Sequence, residues 1–190
     1  MSADIDVATE GLQDALRSYL EALGENMSRD GLHETPVRFA KQLRESVVGY
    51  QDDPKGHLKL FNNDGYNDLV VIRDITFSSL CEHHVVPFFG TVDIAYLPGE
   101  KILGLSKFAR VVDAYGKRLQ VQERLTRQIA SLLEDALRPK LLLVQVSAKH
   151  MCMCTRGARR PNSVTETVIV RGDTDKYAHY VTRFGEMIRR

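Results

Sequence analysis

The sequence has few cysteines, almost no excess of either charge and no long apolar run. Lys and Arg number 26 against 25 Asp and Glu, which gives a formal net charge of +1. Domains that bind nucleic acid usually carry a strong basic excess, so we expect no nucleic-acid partner. No apolar stretch approaches the ~20 residues that a membrane-spanning helix needs. The composition therefore predicts a protein that binds neither nucleic acid nor membrane.

Three cysteines in a chain of 190 residues do not fit a disulfide framework, because the number is odd and the chain is not small. The N-terminal segment is acidic and polar, unlike a signal peptide or an Arg-rich transit peptide. These features predict a cytoplasmic protein. In a reducing compartment, cysteines that lie close to histidines indicate metal binding or catalysis.

Hydrophobic periodicity predicts a helical N-terminal region. Apolar residues recur at helical spacing over residues 11–24, and a second helix is expected to begin at Thr35, with Thr35 as its cap and Pro36 in its first turn. A polar segment over 51–68 predicts a loop. We therefore expect a helical region with its connecting loop over residues 1–68 and a second domain over residues 69–190.

In the second domain, predicted strands come in pairs that are separated by helices. Strands are predicted at 69–77, 91–97, 141–148 and 163–170, and helices at 105–115, 118–137 and 174–188. The segment between the first two strands, 78–90, is too rich in polar and ionisable residues to be predicted as a simple hairpin. This order of elements indicates an α+β domain with an antiparallel sheet.

Two dense clusters of potential metal ligands each follow a predicted strand. The first ligand cluster is SLCEHH at 79–84, and the second is HMCMC at 150–154. Cys81 and His84 have the local spacing of a chelating pair, and one residue of the second cluster would complete three ligands. Three protein ligands leave the fourth position of a tetrahedral zinc ion open to water, which is typical of catalytic zinc.

Spacing alone leaves two choices among these ligands open. Either His83 or His84 could join Cys81, and either Cys152 or Cys154 could come from the second cluster. The alternative interpretation, buried thiols beside incidental histidines, is disfavoured by the density of two such clusters.

Two further groups of residues have the chemistry to bind a nucleotide. Ser106, Lys107 and Arg110 lie at the start of a predicted helix, where free N–H groups and cationic side chains favour phosphate. A carboxylate such as Glu123, next to Gln122, accepts two parallel hydrogen bonds of the kind that a guanine edge donates. Taken alone, both groups are better explained as solvated helix faces.

Several motifs together resemble the GTP cyclohydrolase I family. The runs ETPVRxAK, SLCEHH, GLSKxAR, RLQVQERLT and HMCMxxRG follow that family's order and spacing over about residues 12–172. The resemblance implies a tunnelling fold (T-fold), in which a four-stranded antiparallel sheet with two inserted helices follows N-terminal helices. It also implies a homo-oligomer, a toroidal decamer of two stacked five-membered rings with active sites between subunits.

The resemblance selects the metal ligands and implies a reaction. It implies that Zn²⁺ is bound by Cys81, His84 and Cys152, with His83 and His150 left as acid–base groups. Water activated by zinc is expected to attack C8 of the guanine while His150 protonates N7. The expected reaction converts GTP and water to 7,8-dihydroneopterin triphosphate and formate, the first step of tetrahydrofolate and pterin biosynthesis.

The resemblance also assigns residues to the substrate GTP. Ser106 and His83 are expected near the ribose and the activated water. Glu123, assisted by Gln122, is expected at the guanine edge. The triphosphate is expected to contact five cationic residues, of which the last two reach in from a neighbouring subunit: Lys107, Arg110, Arg156, Arg38 and Lys41.

Cys154 departs from the family's pattern. On an extended segment Cys152 and Cys154 would face the same side, so Cys154 could compete for zinc. The preferred interpretation is that Cys154 is a small buried side chain.

The rival functions are a pterin synthase, a 7-deazaguanine nitrile reductase and a module that holds GTP with structural zinc. The first needs three histidine ligands, the second no zinc and the third four protein ligands. The pathway that uses the product and any regulatory protein remain open.

Overall fold

The computed structural model describes residues 2–188, which fall into two compact units, one up to Val47 and one from Val48 onward. The connecting segment 48–68 therefore groups with the larger unit. Within residues 2–188, no helix combines the length and the apolar character that crossing a bilayer requires.

The first unit is a pair of helices, α1 (Ser2–Ala22) and α2 (Thr35–Ser46), which pack against each other. The Arg44 guanidinium donates to Asp6 at 2.7 Å and joins the two helices. The predicted cap by Thr35 is wrong: Thr35 already lies in the first turn of α2, where its hydroxyl donates to the Gly31 carbonyl at 3.4 Å. Serine and threonine inside a helix commonly bond back to that carbonyl.

The second unit is built on a sheet whose four long strands are antiparallel neighbours. In spatial order they are β2 (Val70–Cys81), β3 (Val86–Leu97), β6 (Leu141–His150) and β7 (Thr165–Gly172). A two-residue strand, β5 (Leu119–Gln120), pairs in parallel with the end of β2. The predicted α+β class with an antiparallel sheet is confirmed, and β5 makes it a five-stranded mixed sheet.

Helices cover both faces of this sheet. Between β3 and β6 the chain forms α3 (Leu105–Gly116) and α4 (Gln122–Leu137), which contribute to the main core, whereas α6 (Ala178–Met187) contributes to a second core. Alternate residues of β3 enter opposite cores, as the two-residue period of a strand requires: Tyr96 lies in the main core and Leu97 in the second. Each fully buried large apolar side chain contributes about 1.5–3 kcal/mol relative to exposure.

Residues 78–90 form a hairpin, which corrects the expectation from the sequence. The pairing of β2 with β3 continues to Cys81 and Val86, so a turn of only residues 82–85 remains. The Val85 amide donates to the Cys81 carbonyl at 2.8 Å and closes this turn. The buried polar residue Ser79 is satisfied by the Arg118 carbonyl at 3.2 Å. The polar end of β2 is stable because its polar groups find hydrogen-bond partners within the second unit.

The predicted loop at 51–68 contains more structure than its polar composition indicates. Two 3-10 turns, Val48–Gln51 and Pro54–His57, precede β1 (Leu60–Asn62), which pairs with β4 (Lys101–Leu103). The Gly49 amide donates to the Lys117 carbonyl at 2.8 Å and ties the segment to the end of α3.

Candidate metal and substrate site

The strand order brings the two ligand clusters together. The first cluster lies in the turn between β2 and β3, and the second begins at the last residue of β6. Because β3 pairs with both β2 and β6, Val86 faces Cys81 on one side and Phe88 faces His150 on the other. Residues that are far apart in the chain therefore meet at one end of the sheet.

Three donor atoms converge at this point, one each from Cys81, His84 and Cys152, all within 4.8 Å of one another. It is the one such group among the residues that the structure describes. Cys81 is buried, Cys152 half-buried and His84 exposed, and Sγ of Cys81 lies 3.8 Å from Nδ1 of His84. Ligands of tetrahedral zinc, at ~2.0–2.3 Å from the ion, lie roughly 3.5–3.8 Å apart. Two thiols and an imidazole are a donor set that suits zinc, and the separation of Cys81 and His84 matches this range.

His83 lies beside this group without joining it. Its Nδ1 is 3.7 Å from Sγ of Cys81, and its ring lies edge-on to that of His84 with centroids 6.2 Å apart. Spacing alone left open whether His83 or His84 joins the thiols. In the structure, the donor atom of His84 lies close to both thiols.

Cys154 is turned away from the three donors because residues 151–154 form a single helical turn, α5 (Met151–Cys154). Residues two apart on a helix point about 200° apart, whereas on a strand they share a side. Sγ of Cys154 lies 3.8 Å from the carbonyl oxygens of both Arg160 and Pro161. The expectation that an extended segment would place Cys152 and Cys154 on one face is therefore wrong.

The turn that carries His83 and His84 is fastened to α4. The Arg124 guanidinium makes a two-pronged ion pair with the Glu82 carboxylate, one of whose contacts measures 3.1 Å. The hydrogen bond from Arg124 lowers the pKa of Glu82. The Glu82 amide also donates to the Gln120 carbonyl at 3.0 Å. The side chain and the backbone of Glu82 therefore both hold the turn in position.

We expect Arg124→Met to weaken zinc binding by about 10- to 100-fold, the usual effect of losing a group that orients metal ligands. The reason is that the turn with His84 loses its attachment to α4 while all three donors remain. Competition with a chromophoric chelator measures the affinity. Arg127→Met, an exposed arginine three residues along the same helix, is the matched control. Equal zinc affinity in the two variants would contradict the role of Arg124.

A cavity of about 240 Å³ opens beside the three donors. Its lining combines residues of both ligand clusters, the start of α4 and the start of β7: Cys81, His83, Gln120, Val121, Gln122, Glu123, His150, Cys152, Met153 and Thr165. Sequence reasoning assigned a role to six of these positions and none to Gln120, Val121, Met153 and Thr165. Gln120 and Val121 belong to the run RLQVQERLT, so the motif itself carried the signal.

Two contacts hold the ring of His150 in place. Its ring stacks on Phe88, with centroids 4.7 Å apart and planes 4° from parallel, and its Nε2 lies 2.8 Å from Oε1 of Gln122. Burial lowers the pKa of His150, and the nearby Glu123 carboxylate partly opposes this shift.

Gln122 is buried, and its amide nitrogen donates to the Val146 carbonyl at 2.9 Å and the Thr165 carbonyl at 3.0 Å. Both polar ends of Gln122 are thus engaged inside the chain. Gln122 is therefore turned toward His150 and the chain interior, whereas Glu123 is exposed.

The predicted phosphate-binding residues are spread over several elements. Ser106 and Lys107 lie in the first turn of α3, and Arg110 lines a different cavity, of about 520 Å³, which also contains His57. Among the described residues that line the 240 Å³ cavity, none of these three predicted residues occurs. Ser106, Lys107 and Arg110 therefore do not line the cavity that Cys81 and Cys152 line.

The remaining cations are exposed. Arg156 follows α5, and its charge lowers the pKa of Cys152, whereas burial and the Cys81 thiol raise it more strongly. Arg38 and Lys41 lie on α2 of the first unit, where Arg38 pairs with Glu34.

The comparisons with known proteins agree on one family. The model of the family described as GTP cyclohydrolase I matches residues 12–189. A GTP cyclohydrolase 1 of Streptococcus agalactiae serotype V is 48% identical over 164 residues, 86% of this chain and 88% of its own. That of Clostridioides difficile is 48% identical over 172 residues, 90% of each chain. That of Clostridium kluyveri is 44% identical over 178 residues, 94% of this chain and 96% of its own.

One solved structure, of the archaeosine synthase QueF-Like in the apo form, overlaps with 57% of this chain and 97% of its own. The TM-score is 0.48 and the sequence identity 20%.

Proposed function

Since the chain belongs to the GTP cyclohydrolase I family of enzymes, we propose that it hydrolyses GTP to formate and 7,8-dihydroneopterin triphosphate with a zinc ion held by Cys81, His84 and Cys152. The observation that carries this proposal is the convergence of those three donors at a cavity that two of them, Cys81 and Cys152, line together with His150 and Glu123. In this proposal the catalytic domain is the segment 69–190.

The metal site has the character of a catalytic centre. Cys81 and Cys152 would hold the ion as thiolates and His84 as a neutral imidazole. Zinc bound there supplies Lewis acidity, which makes water a competent nucleophile near neutral pH. Structural zinc normally has four protein ligands, and the only further thiol of the second cluster, Cys154, points toward the carbonyls of Arg160 and Pro161. The count of three protein ligands argues against a module that holds GTP with structural zinc.

His150 is the proposed proton donor to N7 of guanine. Attack of water on C8 places negative charge on the imidazole ring, and a proton on N7 allows the bond from C8 to one ring nitrogen to break. A second hydrolysis frees C8 as formate. Rearrangement of the ribose and closure onto the freed amine lose one water, so the overall reaction consumes one. We assign the exchange of the attacking water's proton to His83, which lines the same cavity.

The remaining residues would recognise the substrate. Glu123 lies in the first turn of α4 and would accept two hydrogen bonds from the guanine edge, while Ser106 would lie near the ribose. A triphosphate carries several negative charges, so its binding needs several cations. We assign these to the predicted set: Lys107, Arg110, Arg156, Arg38 and Lys41.

A homodecamer would complete this site. In the described part of the chain, β7 pairs on one side only, and β2 pairs with β5 only at its last residues. Open strand edges of this length are normally covered. Pairing of β7 with β2 of the next subunit would close a five-membered ring. Two stacked rings would then bring phosphate-binding cations from one subunit to the donors of another. We also infer a cytoplasmic location, which would keep the thiols reduced.

The proposed function predicts that zinc-loaded protein releases one formate for each GTP consumed. The second product becomes fluorescent after oxidation to the aromatic pterin, so two signals report one reaction. A chelator should abolish both signals, and added zinc should restore them. Protein that holds stoichiometric zinc and binds GTP but releases no formate would overturn the proposal.

A further inference from the structure

We propose that Gln122 is a positioning residue that fixes which nitrogen of His150 carries a proton, so that Nε2–H faces Gln122 and Nδ1 serves the substrate. The inference deepens the proposed function and rests on it for the role of His150. It concerns the neutral ring of His150 and depends on hydrogen-bond directions alone.

The orientation of the Gln122 amide is determined by its partners. The two ends of a glutamine amide differ, because the nitrogen only donates and the oxygen only accepts. The nitrogen lies 2.9 Å from the Val146 carbonyl oxygen, 3.0 Å from the Thr165 carbonyl oxygen and 3.2 Å from the Thr167 hydroxyl. Rotating the amide by half a turn would place an oxygen against two carbonyl oxygens. The nitrogen must therefore point toward β6 and β7.

The orientation of the amide determines the tautomer of His150. Oε1 of Gln122 can only accept, and Nε2 of His150 lies 2.8 Å away, so Nε2 must carry the hydrogen. In a neutral imidazole one nitrogen donates and the other accepts, which leaves Nδ1 as the nitrogen that takes up a proton and, from the cationic ring, gives it to a ligand. The Phe88 ring, stacked at 4.7 Å, limits the plane in which the imidazole lies.

A network of buried hydrogen bonds holds Gln122 in one position, so Gln122 in turn fixes the orientation of His150. Only 1% of the residue is exposed. The Thr126 hydroxyl donates to the Gln122 carbonyl at 2.8 Å and lies 2.6 Å from the Thr167 hydroxyl. Buried networks in which every group is satisfied fix a single arrangement. The two neighbours at the start of α4 thus differ: the Gln122 amide is bonded within the protein interior, whereas Glu123 is exposed.

A positioning role and a guanine-binding role for Gln122 predict different kinetics. If Gln122 acts through His150, its removal should lower kcat by roughly 10²-fold or more, the scale of general acid–base catalysis, with little change in KM for GTP. If Gln122 instead contacts guanine in both the ground state and the transition state, KM should rise while kcat stays nearly constant.

The test combines nitrogen NMR of histidine-labelled, zinc-loaded protein with steady-state kinetics. In the wild-type protein, the His150 signals should show a protonated Nε2 and an unprotonated Nδ1 at a pH where the ring is neutral; His150→Ala identifies these signals. Gln122→Met keeps the size of the side chain and should give a mixture of tautomers, normal zinc content and reduced kcat. Gln145→Met is the control, because Gln145 is also buried but bonds Glu166.

Two results would overturn the inference. One is a wild-type His150 whose proton lies on Nδ1, a measurement that needs no variant and remains decisive if Gln122→Met does not fold. The other is Gln122→Met protein with raised KM, unchanged kcat and an unchanged His150 spectrum. A wild-type protein that releases no formate would instead contradict the proposed function, while its spectrum would still decide the tautomer.

Discussion

Cys152→Ser is expected to lose zinc and to lower the turnover of GTP by at least about 10³-fold. Serine offers no thiolate, so only Cys81 and His84 would remain from the donor group. Activation of water by a metal contributes several kcal/mol to stabilisation of the transition state, and each ~1.4 kcal/mol corresponds to a factor of ten in rate. Metal analysis of the purified variant and the formate assay measure the two effects.

Cys154→Ser is the matched control, because it changes a thiol two residues away on the same helical turn. Since Cys154 faces the carbonyls of Arg160 and Pro161, this variant should retain stoichiometric zinc and wild-type turnover. Zinc loss from Cys154→Ser with retention in Cys152→Ser would show that the wrong thiol has been assigned to the metal.

His150→Ala is expected to keep zinc and GTP binding while lowering kcat by about 10²- to 10⁴-fold, the contribution of a well-placed general acid. The imidazole is absent from the three-donor group, so its removal leaves the metal ligands in place. Metal content, GTP affinity and the rate of formate release separate these effects.

The control for His150→Ala is Lys149→Ala, at the exposed neighbouring position on β6, whose side chain lies on the opposite face of the sheet. It should retain wild-type turnover. If His150→Ala protein lost its zinc, His150 would be a metal ligand and the assignment of a proton donor would be mistaken.

The elements that sequence predicted well are those whose periodicity is set by burial. Strand β6 and helix α4 pack in the main core, where Val144, Leu125, Ile129 and Leu133 are fully buried. Such positions must be apolar, so their spacing reports the element directly. The family resemblance added the arrangement of the domain, a four-stranded antiparallel sheet with two helices inserted between its strand pairs.

The errors occurred where partners distant in sequence decide the local structure. Residues 118–121 continue the helical pattern of α4, yet Leu119 and Gln120 pair with Leu80 and Cys81 as β5. Likewise, Met151–Cys154 closes one helical turn directly after a strand, which no periodic pattern reveals in four residues. Tertiary pairing overrides local preference at β5, whereas the turn at Met151–Cys154 is too short for a periodic signal.

For the site, the sequence indicated the ligand types but not the choice among them. Cys81 and His84 are three residues apart, and His83 is equally available by spacing. The structure groups His84 with both thiols because the turn at 82–85 is fixed by the pairing of Cys81 with Val86 and by the ion pair of Glu82. Neither constraint is readable from the six residues of the cluster.

The three donors also differ in how far apart they lie in the chain. Cys81 and His84 share one hairpin turn, whereas α3, α4 and β6 separate them from Cys152 in the sequence. An ion held by all three is therefore a cross-link that closes a long loop of the chain. Metal binding of this kind adds to the free energy of folding. Zinc supply would then set the lifetime of the second unit as well as its activity.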